Sequence, residues 1–229
     1  VVKLAETLAP PTIEADDVHA WQLAQASRVA VQPGALDVAL VAACDVAYSK
    51  DDAHAFAATV VVERDTWKEI ERSTWTGPVP AAYEPGRFSV REAACLLPTL
   101  EALATRPDVL LIDGHGRAHP RRFGLACHLG LAFDIASVGC AKSVLVGTPA
   151  VELGDLSGSS AELVHDGEVV GALVRTCTGV KPVCASPGHR FDVATSAALV
   201  AALAPEFRIP EPLRQAHHAS IELRAAASP

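Results

Sequence analysis

The stretch from Val109 to Gly124 holds the densest chemistry in this chain. Val109-Leu110-Leu111-Ile112 is apolar and ends on Asp113; Gly114, His115, Gly116, Arg117, His119, Arg121 and Arg122 follow closely. The pattern predicts a buried strand that delivers a carboxylate to its C-terminal end. The loop after it is open enough for a charged ligand to approach the backbone. In open α/β sheets, ligands bind at that edge. A carboxylate beside basic groups suits a divalent cation and a phosphate sharing one site. A second acid interrupts the apolar run Ala43-Cys44-Asp45-Val46-Ala47. A charge inside such a run is costly unless it is paired or metal-bound. If the two strands are neighbours, Asp45 and Asp113 converge. Ser89 and Glu92 have capping-box spacing, which sets Glu92 in a helix's first turn, where it can add a third oxygen. Taken singly, each acid also fits a plain cap or turn role; their combination points to a metal.

The elements that must position these acids can be read from the apolar patterns. Residues 13–31 predict a helix with Val18, Trp21, Leu23 and Ala24 on one face. Residues 37–47 predict a central strand buried on both sides. Residues 53–63 and 67–75 predict two further strands, making an antiparallel meander. Gly77-Pro78-Val79-Pro80 reads as a rigid link. A helix over 90–104, capped at Ser89, a strand over 108–113, a helix over 121–132 and a strand over 135–140 imply some parallel pairing. Residues 147–160 read as loop. Asp166-Gly167 marks a hairpin, and 180–185 predict a last strand. Asp192 caps a helix running to Leu203, and Pro210-Glu211-Pro212 opens a final helix to about Ala226. The expected fold is α/β: an antiparallel meander extended by parallel strands, with helices on both faces, in a single domain over 1–229.

Composition narrows the classes. Half of the 229 residues are hydrophobic and 20% are charged, as in a globular chain. No apolar run approaches the roughly 18 residues that span a bilayer. The N-terminal residues lack a signal-peptide pattern, so the expectation is a soluble, cytoplasmic monomer without a membrane partner. Net charge is −8, against a non-specific nucleic-acid coat but compatible with one local basic patch. The six cysteines form no CxxC and sit in apolar surroundings, so they read as reduced, buried small hydrophobes.

Several ordered blocks resemble the endonuclease V family over roughly residues 15–220. The most specific is Asp113-Gly114-His115-Gly116-Arg117-Ala118-His119-Pro120-Arg121-Arg122-Phe123-Gly124, continuing to Gly130. Ser137-Val138-Gly139-Cys140-Ala141-Lys142-Ser143, Ser186-Pro187-Gly188-His189-Arg190 and Pro210-Glu211-Pro212-Leu213-Arg214-Gln215-Ala216-His217 follow. The resemblance implies a ribonuclease H-like fold and a Mg²⁺-dependent DNA repair endonuclease, with Mn²⁺ as a substitute ion. It implies cleavage of the second phosphodiester bond 3′ to deoxyinosine, leaving 3′-hydroxyl and 5′-phosphate ends. The implied metal ligands are Asp45, Glu92, Asp113 and His217, with His218 adjacent to the last. His119 and Lys142 match residues near the scissile phosphate; for His189 a structural role is favoured. Tyr83 matches a strand-separating wedge, Gly86 and Gly114 match glycines beside an extruded base, and Phe88 would line its pocket. Extruding a base is cheapest where it is damaged or mispaired, and an aromatic wedge fills the gap left in the stack. Arg121 and Arg122 read as phosphate-binding or acid-pairing residues. Ala82 and Glu84 depart from the family's wedge pattern. Three alternatives stay open: the same chemistry on inosine-containing RNA, a catalytically weak lesion-binding protein, and a generic metallophosphatase.

Overall fold

Among the described residues of the computed structural model (2–5, 8, 15–80 and 88–227), nine strands form one sheet. In chain order the elements are α1 (Ala15–Ala26), β1 (Leu40–Tyr48), β2 (His54–Glu63), β3 (Lys68–Pro78), α2 (Phe88–Glu101), β4 (Val109–Ile112), α3 (Leu125–Phe133), β5 (Ala136–Ala141), β6 (Thr148–Pro149), β7 (Ser160–His165), β8 (Glu168–Val174), β9 (Val183–Pro187), α4 (Val193–Ala202) and α5 (Glu211–Ala227). The sheet order is β3-β2-β1-β4-β5-β9-β8-β7-β6. β1, β4 and β5 run parallel, and the meander and the β9-to-β6 half pair antiparallel. This is the expected mixed sheet, extended on the far side by the predicted Asp166-Gly167 hairpin, whose two tip residues have φ of 54° and 77°.

Period-two alternation divides the central strands between two cores. Val41 and Ala43 of β1, with Val109 and Leu111 of β4, pack beneath α4 and α5. Ala42 and Cys44, with Leu110 and Ile112, pack against α2 and α3 on the other face. The capping box expected at Asp192 is present: its Oδ1 accepts the Thr195 N–H at 2.8 Å.

Local readings fail where a side chain has a tertiary task. Ser89 does not cap α2, which already runs from Phe88; its hydroxyl accepts from Gln22 Nε2 at 3.1 Å. Gln22, rather than Leu23, completes the inner side of α1: Gln22 is fully buried and Leu23 is 59% exposed. The expected link at Gly77-Pro78 is the end of β3, paired His54↔Pro78; an edge strand tolerates proline because the missing donor faces outward. The helix expected from Arg121 starts only at Leu125, because Arg122 sits at a left-handed φ of 56°. All six cysteines are free, and only Cys177 is more than marginally exposed.

Candidate active site

Register brings the two strand acids together. Cys44 pairs with Ile112 across the parallel β1–β4 ladder, so Asp45 and Asp113 are the next residues on adjacent strands. Both continue the alternation that faces α5. Glu92 comes from α2, on the other side of the sheet, and Tyr48 donates a hydrogen bond to its Oε1 at 3.1 Å. A cavity of about 460 Å³ at this edge is lined by Asp45, Glu92, Asp113, Gly114, His119, Lys142 and His217. Seven of the candidate metal, phosphate and base-pocket residues thus meet in one cleft. His217 lines it and the adjacent His218 does not, and His189 is buried elsewhere between Ala30 and Asp134.

Each acid carries a defined partner. Ser220 Oγ donates to Asp45 Oδ2 at 2.5 Å, and His217 Nδ1 lies 3.3 Å from the same oxygen. These two residues, three apart on α5, share a helix face. Lys142, just past β5, places Nζ 2.5 Å from Asp113 Oδ2. His119 Nδ1 accepts the Arg121 backbone N–H at 3.2 Å. The neutral ring therefore carries its proton on Nε2. His115 Nε2 is 3.0 Å from the Ser143 carbonyl, tying the loop after β4 to the one after β5.

The electrostatics oppose bare negative charge. Burial pushes the Glu92 carboxyl well above its ordinary range; the Tyr48 hydrogen bond pulls it back, and the charges of Asp45 and Asp113 push it up again. Burial also raises Asp113; Lys142 pulls it down, and the neighbouring Asp45 pushes it up again. For Lys142, burial works against the ammonium, but Asp113 holds it in the charged form and raises it. Three converging carboxylates form a hard-oxygen donor set suited to a divalent cation, with the Lys142 ammonium beside them as a separate positive charge. Among the described residues no three acid, histidine or cysteine side chains stand in coordinating geometry as they are; Ser220, His217, Lys142 and Tyr48 each engage a carboxylate oxygen.

The arginines after β4 are committed to protein partners. Arg122 donates to Glu168 Oε2 at 2.7 Å and to the His165 carbonyl at 2.9 Å, and Arg117 pairs with the other Glu168 oxygen. This is the acid-pairing alternative for Arg122. Arg121 Nε donates to Gln22 Oε1 at 2.5 Å. Tyr83 and Gly86 lie outside the described residues, as does the Phe88 side chain. Close backbone approach shapes the floor of the loop: a Cβ on Gly139 of β5 would lie 2.6 Å from the Gly114 oxygen and the Gly116 nitrogen.

Sequence reading missed Ser220, Tyr48 and Gln22. The His217–Ser220 spacing was a usable signal for Ser220, because position i+3 on a helix follows its neighbour to the same face. Tyr48 had a weaker one, since it ends the strand that carries Asp45. Gln22 had none; nothing local marks a buried amide that bridges Ser89 and Arg121.

A mixed sheet of this order, covered by helices on both faces, with acids gathered at its central edge, defines a ribonuclease H-like phosphodiester hydrolase. The family model of Endonuclease V matches residues 22–218. The chain belongs to the endonuclease V family of nucleases. It is similar to endonuclease V of Myxococcus xanthus, with 40% identity over 221 residues, covering 92% of this chain and 94% of that protein. The crystal structure of endonuclease V from Streptomyces avermitilis superposes with a TM-score of 0.86 at 35% identity, covering 97% of this chain and all of that one. Endonuclease V of Ciona intestinalis, solved with a 23mer DNA containing an inosine followed by a ribo-adenosine, gives a TM-score of 0.78 at 25% identity, over 90% of this chain and 95% of that one.

Proposed function

We propose that this chain nicks DNA carrying deoxyinosine at the second phosphodiester bond 3′ to the lesion, using Mg²⁺ and leaving 3′-hydroxyl and 5′-phosphate ends. One observation carries the reading: Asp45, Glu92 and Asp113 converge with Lys142 and His119 on a single open cleft. The inosine-bearing DNA held by the Ciona relative supports the choice of lesion. Asp45, Glu92, Asp113 and His217 are the residues that would hold the ion, with Mn²⁺ as a substitute. When bound, it supplies charge neutralisation at the phosphate and a more acidic water. Lys142 presents a compact positive charge to a non-bridging oxygen. His119 offers its Nε2 proton to a phosphate oxygen. Gly114, beside Asp113, leaves room for the extruded base, with Gly86 and Phe88 completing the pocket and Tyr83 as wedge. Arg121 and Arg122 shape the loop through their protein partners. The protein works as a cytoplasmic monomer, with residues 1–229 as one domain.

A 5′-labelled duplex with one inosine tests this. The expected product in Mg²⁺ is a nick one nucleotide beyond the lesion, lost with chelator and lost in Asp113→Ala. Equal cutting of an undamaged duplex, or parental cutting by Asp113→Ala, overturns it. The ribo-adenosine in the Ciona complex also favours a second reading, cleavage at inosine in RNA. Turnover on matched DNA and RNA strands separates the two, because only the RNA offers a 2′-hydroxyl.

A further inference from the structure

We propose that Arg208 is a positioning residue for Lys142, an inference that rests on reading Lys142 as the cation at the scissile phosphate. The β5–β9 ladder ends at the pair Ala141↔Cys184. Past that pair the two chains separate, and three backbone carbonyls at the fraying end turn to one side chain. Arg208 Nη2 donates to the Lys142 oxygen at 2.7 Å and to the Pro182 oxygen at 3.0 Å, while its Nε donates to the Lys181 oxygen at 2.9 Å. A planar guanidinium can serve all three at once; a lysine ammonium on a flexible stem cannot match that geometry. Arg208 is itself held, since the buried Thr176 hydroxyl donates to its carbonyl at 2.8 Å.

The clip matters because packing does not hold Lys142. Its side chain is 52% exposed, so its ion pair with Asp113 and the placement of its backbone fix the ammonium. Arg208 supplies the second of these. It also stands three residues before α5, the helix that carries His217 and Ser220. One side chain therefore joins the start of α5 to the loop bearing Lys142. Arg208 does not line the cleft, so its action runs through Lys142 and not through contact with the reacting atoms.

A double-mutant cycle on a single-inosine duplex in Mg²⁺ tests the assignment, with kcat and KM measured separately. Lys142→Ala is expected to lower kcat by about 100-fold, the scale of one lost electrostatic contact to the transition state. Arg208→Ala is expected to lower kcat about tenfold with KM nearly unchanged, as for a misplaced catalytic group. In the Lys142→Ala background the Arg208 substitution should cost nothing further. An equal loss in both backgrounds, a parental kcat in Arg208→Ala, or a raised KM with kcat intact overturns the inference; the last would make Arg208 a direct nucleic-acid contact. If Lys142→Ala keeps the parental kcat, the reading of Lys142 fails first. Thermal melting is measured on every variant. Where Arg208→Ala is unfolded at the assay temperature, Arg208→Lys, which keeps the charge but loses the fork, takes its place in the cycle with the same expected outcomes.

Discussion

Asp45 Oδ2 is shared by a hydroxyl and an imidazole, both from α5, and the hydroxyl bond at 2.5 Å is the shorter. A hydrogen bond to a buried carboxylate is worth about 1.5–3 kcal/mol, enough to fix one rotamer of Asp45. Ser220→Ala should therefore lower kcat about tenfold and weaken Mn²⁺ affinity. Nicking kinetics and a metal titration check this, and unchanged values in both would remove Ser220 from the site. Glu92 makes the opposite point, because its surroundings resist its charge. Its folded-state pKa lies above the ordinary 4.5, so the folded protein keeps a proton that the unfolded chain has released. That contribution to stability is complete below the ordinary carboxylate range and is lost as pH rises through the raised value. Glu92→Gln should abolish nicking yet raise the metal-free melting temperature at pH 7 by at least about 2 °C. A lower melting temperature would show that the carboxylate is not under strain. Asp45 and Asp113 were legible because charge inside an apolar run, or at its end, is costly to bury unpaired, and Glu92 from its spacing after Ser89; only their combination pointed past plain cap and turn roles. Ser220 was missed: 175 positions separate it from Asp45, and its one signal was its spacing from His217.

The loop after β4 lies directly on the backbone of β5 and β9. Gly116 N donates to Ser186 Oγ at 2.8 Å and Arg117 N donates to the Pro187 oxygen at 2.7 Å. Glu168 on β8 grips Arg117 and Arg122 on either side of the loop. Arg122, read as phosphate-binding or acid-pairing, takes the second role, and together with Arg117 it fastens this loop to the β7–β8 hairpin. Gly139→Ala puts a methyl group against the Gly114 and Gly116 backbone at 2.6 Å, where no side chain can yield. Overpacking of this kind costs about 1–3 kcal/mol. The variant should melt several degrees lower and lose most nicking activity, as read by calorimetry and gel assay. Parental melting and activity would mean that the loop can lift without consequence.

His128 draws distant parts of the molecule together. It is fully buried on α3, its Nε2 is 3.0 Å from the Leu8 carbonyl, and its ring packs edge-on to Trp21 of α1 at 5.2 Å. Burial pushes its pKa from 6.5 down to about 4. As pH falls below 6.5 the unfolded chain binds a proton that the folded one refuses, so stability is lost progressively between 6.5 and about 4. At 1.36 kcal/mol per unit the loss is about 3 kcal/mol. Urea unfolding of the parent and His128→Gln at pH 7, 6, 5 and 4 measures it. The parent should lose about that much more than the variant, and parallel curves would overturn the assignment. The net charge of −8 acts on the same scale. It makes a nucleic-acid partner depend on local groups, and a bound divalent ion would stabilise the fold by mass action.

The sequence by itself determined the order of the strands and helices apart from the two-residue β6 (Thr148–Pro149), which falls in a stretch read as loop, together with the two apolar faces of β1 and β4, Asp45 within β1 and Asp113 just past β4. Those features follow from periodicity and from the cost of burying charge, which any short window carries. Tertiary structure alone decided that Cys44 pairs with Ile112 and so sets Asp45 beside Asp113, that α5 turns Ser220 onto Asp45, and that Arg208 clips the chain at Lys142. It also turned Arg122 toward Glu168. Each of these joins residues far apart along the chain, and a contact of that kind leaves no local pattern to read.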